Sequence, residues 1–118
     1  MKALKTIRVE DLLNSVETFR REDAVFAKGH PLTLETPIMI CDIDDETIVE
    51  HAAPRGHLKN HPEFSYLIDA LSVRDVILNL SLQGPDNSLR TKLRALNFYL
   101  ENDAFLDLSL LWNGSILV

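Results

Sequence analysis

The residues best suited to chemistry form one acidic run, Asp42-Ile43-Asp44-Asp45-Glu46-Thr47. Two aspartates two positions apart could serve a phosphatase as nucleophile and general acid, but that pattern requires a small β-branched residue where this chain has Glu46. A calcium loop would require a glycine and a closing glutamate at the loop's spacing, and both are missing. The run therefore favours a solvated acidic turn or a surface that binds a partner.

Two histidines form the second candidate site. His57 and His61 have the i, i+4 spacing of zinc ligands on a helix. Residue 58 is a leucine instead of the glutamate of a metalloprotease helix, and Gly56 and Pro62 disfavour a helix there. We expect histidines in a loop without a bound metal, and a metal site in that loop is the alternative.

Other reactive patterns are sparse. Cys41 is the only cysteine and lies in an apolar run, so we expect it to be buried and the chain to have no internal disulfide. The four glycines supply no phosphate-binding or dinucleotide-binding pattern, and no nucleophile elbow is present. A solvated helix face is predicted for the basic residues Arg90, Lys92 and Arg94, and a phosphate contact there is the alternative. We expect no catalytic residue, no cofactor and no metal.

The negative charge is concentrated in one segment. Residues 35–50 contain no lysine or arginine, and their acidic residues equal in number the net charge of −6 of the whole chain. These residues are Glu35, Asp42, Asp44, Asp45, Glu46 and Glu50. Such a field repels phosphate backbones and attracts basic surfaces, so we expect a basic protein partner and no direct contact with nucleic acid.

Length and composition predict one globular domain over residues 1–118. The chain is 46% hydrophobic and 25% charged, which is typical of a folded domain. No apolar run approaches the roughly 20 residues that cross a bilayer, and the basic N-terminus is not followed by the apolar stretch of a signal peptide. We therefore expect a cytosolic protein that does not contact a membrane.

Three helices are predicted from apolar spacing and capping residues. The first covers about residues 9–21, the second about 73–83 with Ser72 as its N-cap, and the third about 88–101. The second helix is apolar on two faces, which indicates packing between other elements. Phe98 falls opposite the leucine stripe of the third helix, so it requires a second contact or is exposed.

The strand predictions are shorter. A buried strand is predicted at residues 37–44, with Ile38 and Ile40 on one face and Met39, Cys41 and Ile43 on the other. A short strand or connection is predicted at residues 25–27, and a second short strand at residues 47–50. Residues 51–63 indicate an irregular loop, and Asn113-Gly114 a hairpin turn within residues 108–118. The predicted fold class is α/β of the α+β type, with about three helices packed on a small sheet. The predicted core residues are Leu12, Leu13, Val16, Ile38, Ile40, Val76, Ile77, Leu80, Leu93, Leu96 and Leu100.

The C-terminal half resembles a family of small uncharacterised bacterial domains. The likeness is carried by the segment from Ser72 to Leu80, by Gln83 and by the phrase Ala95-Leu-Asn-Phe-Tyr-Leu-Glu-Asn-Asp-Ala-Phe-Leu106. In that family a helix that ends in such a phrase recurs near the C-terminus. The acidic run that follows Pro37 fits the family's middle strand, and the likeness covers about residues 35–106. Within the phrase, Asn102 and Asp103 are expected to end a helix and not to act in catalysis.

Domains of this size and acidity, without a catalytic motif, are similar to the immunity proteins of bacterial polymorphic-toxin systems, including contact-dependent growth inhibition. Such proteins neutralise a co-encoded toxin, often a basic nuclease, by covering its active site. They share no common motif, so the resemblance transfers no residue role. It implies an inhibitor that is not an enzyme, and local charge assigns partner binding to Asp42, Asp44, Asp45, Glu46 and Glu50.

Two alternatives remain open. One is a generic interaction module or a subunit of an assembly, with Phe98 and residues 108–118 as its contact. The other is a small metal-dependent enzyme that uses Asp42, Asp44, His57 or His61.

Overall fold

The computed structural model describes residues 5–50, 56–84 and 88–109. In these ranges it contains three α-helices, one 3-10 helix and a four-stranded antiparallel sheet, which confirms the α+β class. In chain order the elements are β1 (Thr6–Arg8), α1 (Val9–Ser15), the 3-10 helix (Val16–Thr18), β2 (Asp23–Ala27), β3 (Pro37–Asp42), β4 (Ser65–Asp69), α2 (Ala70–Gln83) and α3 (Leu89–Asn102).

The sheet has the order β1-β3-β2-β4, and β2 lies inside it between β3 and β4. All five residues of β2 are buried, which suits its run Ala24-Val25-Phe26-Ala27. The short strand expected at residues 25–27 is therefore an interior strand of the sheet. Its first residue, Asp23, is paired in register with Asp42, the last residue of β3.

Each face of the sheet is covered by a different kind of structure. On one face the sheet packs against the three helices in a cluster that includes Val25, Ile38 and Leu96. On the other face a second cluster joins the sheet residues Phe26 and Met39 to an irregular segment. That segment contributes Ile48, Val49, Leu58 and Phe64. The alternation predicted for β3 is confirmed, because Ile38 and Ile40 belong to the first cluster and Met39, Cys41 and Ile43 to the second.

The first predicted helix is too long. α1 ends at Ser15, whose hydroxyl donates to the carbonyl of Asp11, and the chain then forms the 3-10 helix. A turn at residues 20–23 follows: the carboxylate of Asp23 accepts the backbone N–H of Arg20 at 2.9 Å. This hydrogen bond closes the turn that leads into β2, five residues after α1 has ended, so the later part of the apolar stripe is not helical.

The second helix begins one turn before its predicted start. Asp69 is the N-cap, and its carboxylate accepts the backbone N–H of Ser72 at 2.7 Å. The proposal of Ser72 as the cap was wrong because β4, which the sequence pattern did not indicate, runs directly into α2. The two-face prediction was also wrong: Leu78 is 58% and Leu82 is 78% exposed.

α3 agrees with its prediction within two residues. Ser88 is the N-cap and accepts the N–H of Thr91, while Asp103 ends the helix with a left-handed φ of 53°. The side chain of Asn97 accepts the N–H of Leu32 at 3.0 Å and donates to its carbonyl at 2.9 Å. Phe98 finds the second contact that it requires, in a cluster with Val76, Leu80, Ala95 and Leu106.

Residues 47–50 are a turn and not a strand, with one isolated bridge between Val49 and Leu58. The predicted hairpin lies mostly at residues 110–118, outside the described residues, as do residues 51–55 of the predicted loop. Of the predicted core, seven residues are buried, and the other four are partly buried and pack against the helix-covered cluster. These four are Ile40, Ile77, Leu93 and Leu100.

None of the helices in the described part of the chain combines the length and the apolar character that crossing a bilayer requires.

Candidate partner-binding surface

The acidic turn, residues 42–50, connects the end of β3 to the irregular cover of the sheet. Its backbone is fixed at both ends. The N–H of Asp45 donates to the carbonyl of Asp42 at 3.2 Å, and the N–H groups of Ile48 and Val49 donate to the carbonyl of Asp45 at 3.0 and 2.9 Å. Because Ile48 and Val49 are buried in the second cluster, the turn is attached to the core.

Of the five carboxylates predicted to bind a partner, two accept hydrogen bonds from within the acidic turn. Asp42 accepts the N–H of Asp44 at 2.9 Å, and its second oxygen lies 3.6 Å from the Arg20 guanidinium. Asp45 accepts the backbone N–H and the hydroxyl of Thr47 at 3.0 and 2.5 Å. These hydrogen bonds favour the charged form and hold the pKa of Asp45 below its usual value. Asp42 and Asp45 therefore position the turn.

The other three carboxylates face solvent. Asp44, Glu46 and Glu50 are exposed, and within the described ranges no lysine, arginine or histidine nitrogen lies within 4 Å of their oxygens. They line an open cleft of about 330 Å³, and its other lining residues are Ile43, Val49 and Lys59. The cleft thus combines three available negative charges with two apolar side chains. Such a surface can accept a cationic side chain with an aliphatic stem.

Two cations from distant parts of the sequence reach the acidic turn. Arg20 donates to the buried carboxylate of Asp23 at 3.1 Å and also approaches Asp42. The hydrogen bond and the charge of Asp23 are the main reasons why the pKa of Arg20 is raised. Lys59 lines the cleft because its N–H donates to the carbonyl of Ile48 at 2.8 Å. Counting charges along residues 35–50 missed both cations, because only folding brings them there.

The described residues offer no ready metal centre. In residues 5–50, 56–84 and 88–109, no three side chains from His, Cys, Asp and Glu form a group that could hold an ion. One ring nitrogen of His57 lies 3.1 Å from the carbonyl of Leu58, and the ring of His61 meets Phe64 edge to face. The segment is irregular and not helical there, so the helical spacing of the two histidines does not bring them onto one face. Cys41 is buried, as predicted.

Comparison with protein families identifies the family to which the chain is similar. A family model described as a domain of unknown function, DUF7716, matches residues 6–108. That range includes every element of the fold and the whole acidic turn. Neither a curated protein nor a solved structure matches the chain.

Proposed function

This chain belongs to the DUF7716 family of domains of unknown function, and from its own surface we propose that it is an immunity-type inhibitor that binds a basic toxin domain through the acidic turn. The observation that supports the proposal most is the exposure of Asp44, Glu46 and Glu50 around one cleft, with no cation within 4 Å in the described part of the chain. Like charges held close together repel each other, and a basic partner relieves that repulsion.

A nuclease is the toxin class that this surface fits best. A nuclease needs a cationic cleft to hold its phosphodiester substrate, and closely spaced carboxylates can occupy that cleft in place of phosphates. The same charges keep the inhibitor itself away from nucleic acid. Inhibition of this kind takes place in the cytosol, where a nuclease toxin meets its substrate, and it requires no catalytic residue, cofactor or metal from the inhibitor.

The five residues first assigned to partner binding then have two roles. Asp44, Glu46 and Glu50 contact the partner. Asp42 and Asp45 hold the turn in the shape that presents them, because their carboxylates already accept hydrogen bonds from Asp44 and Thr47. Lys59 limits the net charge of the cleft and favours a partner that carries its own carboxylate beside its cations.

The proposal is tested first by identifying the toxin. The open reading frames next to the gene of this chain are expressed with and without it, and growth and binding are measured. One neighbouring product should arrest growth alone and be neutralised by this chain in a stable complex. If every neighbouring product is harmless, or if the chain protects without binding, the proposal is wrong.

The surface is tested with two matched variants. The turn variant carries Asp44→Lys, Glu46→Lys and Glu50→Lys, and the control variant carries Glu17→Lys, Glu63→Lys and Glu101→Lys. All six glutamates and aspartates are exposed, and both variants change the net charge equally. The turn variant should lose protection and the control variant should retain it. Loss of protection in both variants would show that total charge, and not the acidic turn, governs binding.

A further inference from the structure

Arg20 joins the first residue of β2 to the acidic turn. Its side chain donates to one carboxylate oxygen of Asp23, from Nε at 3.1 Å and from Nη2 at 3.1 Å. The same Nη2 lies 3.6 Å from an oxygen of Asp42, whose other oxygen accepts the backbone N–H of Asp44 at 2.9 Å. These contacts form a continuous path from β2 to one of the exposed acidic residues of the turn.

The side chain of Arg20 is held by a buried group before it reaches Asp42. Asp23 is only 3% exposed, and the second oxygen of its carboxylate accepts the backbone N–H of Arg20 at 2.9 Å. The turn at residues 20–23 is also attached to α2, because the carbonyl of Arg21 accepts the N–H of Leu71 at 3.1 Å. A surface ion pair usually contributes little, since two long side chains lose conformational entropy when they pair. Here Asp23 already orders the guanidinium, so the contact with Asp42 costs little further entropy.

The register of the strands places two negative charges together at this position. Asp23 on β2 is directly opposite Asp42 on β3, and like charges that face each other on neighbouring strands are destabilising. In the described ranges, Arg20 is the only lysine or arginine within 4 Å of either carboxylate. Without its cation, the end of β3 and the start of the acidic turn would carry two facing carboxylates, and one of them is buried.

From these contacts we infer that Arg20 is a positioning residue of the partner-binding surface. It holds Asp42 at the end of β3, and Asp42 in turn holds the backbone of Asp44. The exposed carboxylates of the acidic turn thereby keep the arrangement that a basic partner meets. The effect on a partner rests on the proposed function, whereas the ordering of the turn is a property of the free chain.

Charge and position give Arg20 opposite effects on binding, so the two can be separated. By charge alone, Arg20→Gln makes the surface more acidic and should speed association with a basic partner. A charge at the rim of an interface acts mainly on the association rate. Loss of the positioning contact should instead speed dissociation, because the carboxylates no longer stay in the arrangement that the partner meets.

The ordering of the turn is tested in the free full-length chain by amide hydrogen exchange followed by NMR. In Arg20→Gln the N–H of Asp44 should exchange about two- to fivefold faster, as expected for the loss of one partly exposed ion pair. The lost positive charge would by itself slow base-catalysed exchange, so charge alone cannot produce this result. A residue that only stabilised the whole fold would speed exchange of the buried amides of β2 and leave that of Asp44 unchanged.

Arg8→Gln is the matched control. The side chains of Arg8 and Arg20 are 55% and 50% exposed, and each lies within 4 Å of at least two carboxylates. Arg8 contacts Glu10 and Asp11 in α1 and not the acidic turn. Arg8→Gln should therefore leave the exchange of Asp44 at the wild-type rate. Equal acceleration in both variants would overturn the inference, because it would follow from the change in net charge.

A second variant separates the contact with Asp42 from the pairing of the buried carboxylate. Arg20→Gln leaves Asp23 charged and buried without its cation, which is itself destabilising. The double variant Arg20→Gln and Asp23→Asn removes that buried charge, and the N–H of Asp44 should still exchange faster than in wild type. Exchange that returns to the wild-type rate would trace the effect to Asp23 and overturn the inference.

Binding is measured with the toxin domain identified from the neighbouring genes. Arg20→Gln should dissociate about two- to fivefold faster than wild type, and Arg8→Gln should dissociate at the wild-type rate. Dissociation of Arg20→Gln at or below the wild-type rate overturns its role in partner binding. If no neighbouring product binds, the proposed function fails, and faster exchange of Asp44 in Arg20→Gln still supports Arg20 as the residue that orders the turn. Unchanged exchange of Asp44 overturns the inference whether or not a toxin is found.

Discussion

The two faces of the sheet are covered by very different backbones, and the helix-covered face carries the larger cluster of apolar side chains. On one face α1, α2 and α3 pack regular stripes against β2 and β3. On the other face an irregular segment supplies Ile48, Val49, Leu58 and Phe64. In the helices, backbone N–H and C=O groups form hydrogen bonds within each helix. In the irregular segment, they depend on separate turn hydrogen bonds, such as the one that the N–H of Glu50 donates to the carbonyl of His57.

The difference explains where the candidate surface lies. A helix spreads its side chains over a cylinder, so few of them converge on one point. The acidic turn instead folds back on itself between Asp42 and Val49, and its exposed carboxylates line one cleft. Charge can be concentrated there because Ile48 and Val49 anchor the turn to the core. Surfaces that bind partners are often loops fixed on a rigid scaffold in this way.

The largest expected effect is on the helix-covered face. Leu96 is fully buried in that cluster, and Leu96→Ala should lower the free energy of unfolding by about 2–5 kcal/mol. Regular helices cannot easily close the space that the side chain leaves. Chemical denaturation measures the loss. A change below about 1 kcal/mol would mean that the helices do not pack against the sheet as described.

A smaller loss of stability but a larger loss of binding is expected on the loop-covered face. Leu58 is buried there, and Leu58→Ala should cost about 2 kcal/mol, at the low end for such a change, because an irregular backbone can move into the space. Leu58 pairs with Val49, so the acidic turn should shift as well. Partner affinity should fall more in Leu58→Ala than in Leu96→Ala when both are measured on folded protein. Equal losses of affinity would remove the distinction between the two faces.

The smallest effect concerns one turn hydrogen bond and depends on pH. The pKa of Asp45 is lowered in the folded protein, so its contribution is present above the unfolded pKa and is lost as pH falls through the folded pKa. Asp45→Asn should therefore lower the thermal midpoint slightly at neutral pH, and the difference from wild type should narrow as pH falls below the ordinary pKa of an aspartate. A constant difference over that range would show that the charge of Asp45 does not hold Thr47.

Sequence periodicity predicted the helical layer well, because a stripe such as Leu93, Leu96 and Leu100 has one simple explanation. It failed where a single hydrogen bond overrides the pattern. The Asp23 carboxylate holds a turn at residues 20–23 where the first stripe predicted helix, and Asp69 begins α2 before Ser72. β4 was missed because its five residues pass directly into α2 without a turn.

The sequence identified the segment that forms the candidate site, but it did not identify the role of each carboxylate within it. The acidic residues of the turn were identified from composition, but their division into structural and exposed carboxylates depends on partners such as Thr47 and Arg20. Arg20 lies more than twenty positions before the turn, and only the pairing of β2 with β3 brings it to Asp42. Two residues of the segment Ala95–Leu106, which carries the family resemblance, have structural roles. Asn97 accepts the backbone N–H of Leu32, and Asp103 ends α3.

The most direct test of the account is the association rate of the cognate toxin domain, measured at low and high ionic strength by stopped flow. Wild type should associate fast and slow steeply with added salt, since electrostatic steering accelerates association by about 10-fold or more. The turn variant should associate at least about tenfold more slowly at low salt and show a weak salt dependence, while the control variant stays near wild type. If the turn variant associates as fast as wild type at low salt, or if both variants slow equally, the acidic turn is not the binding surface.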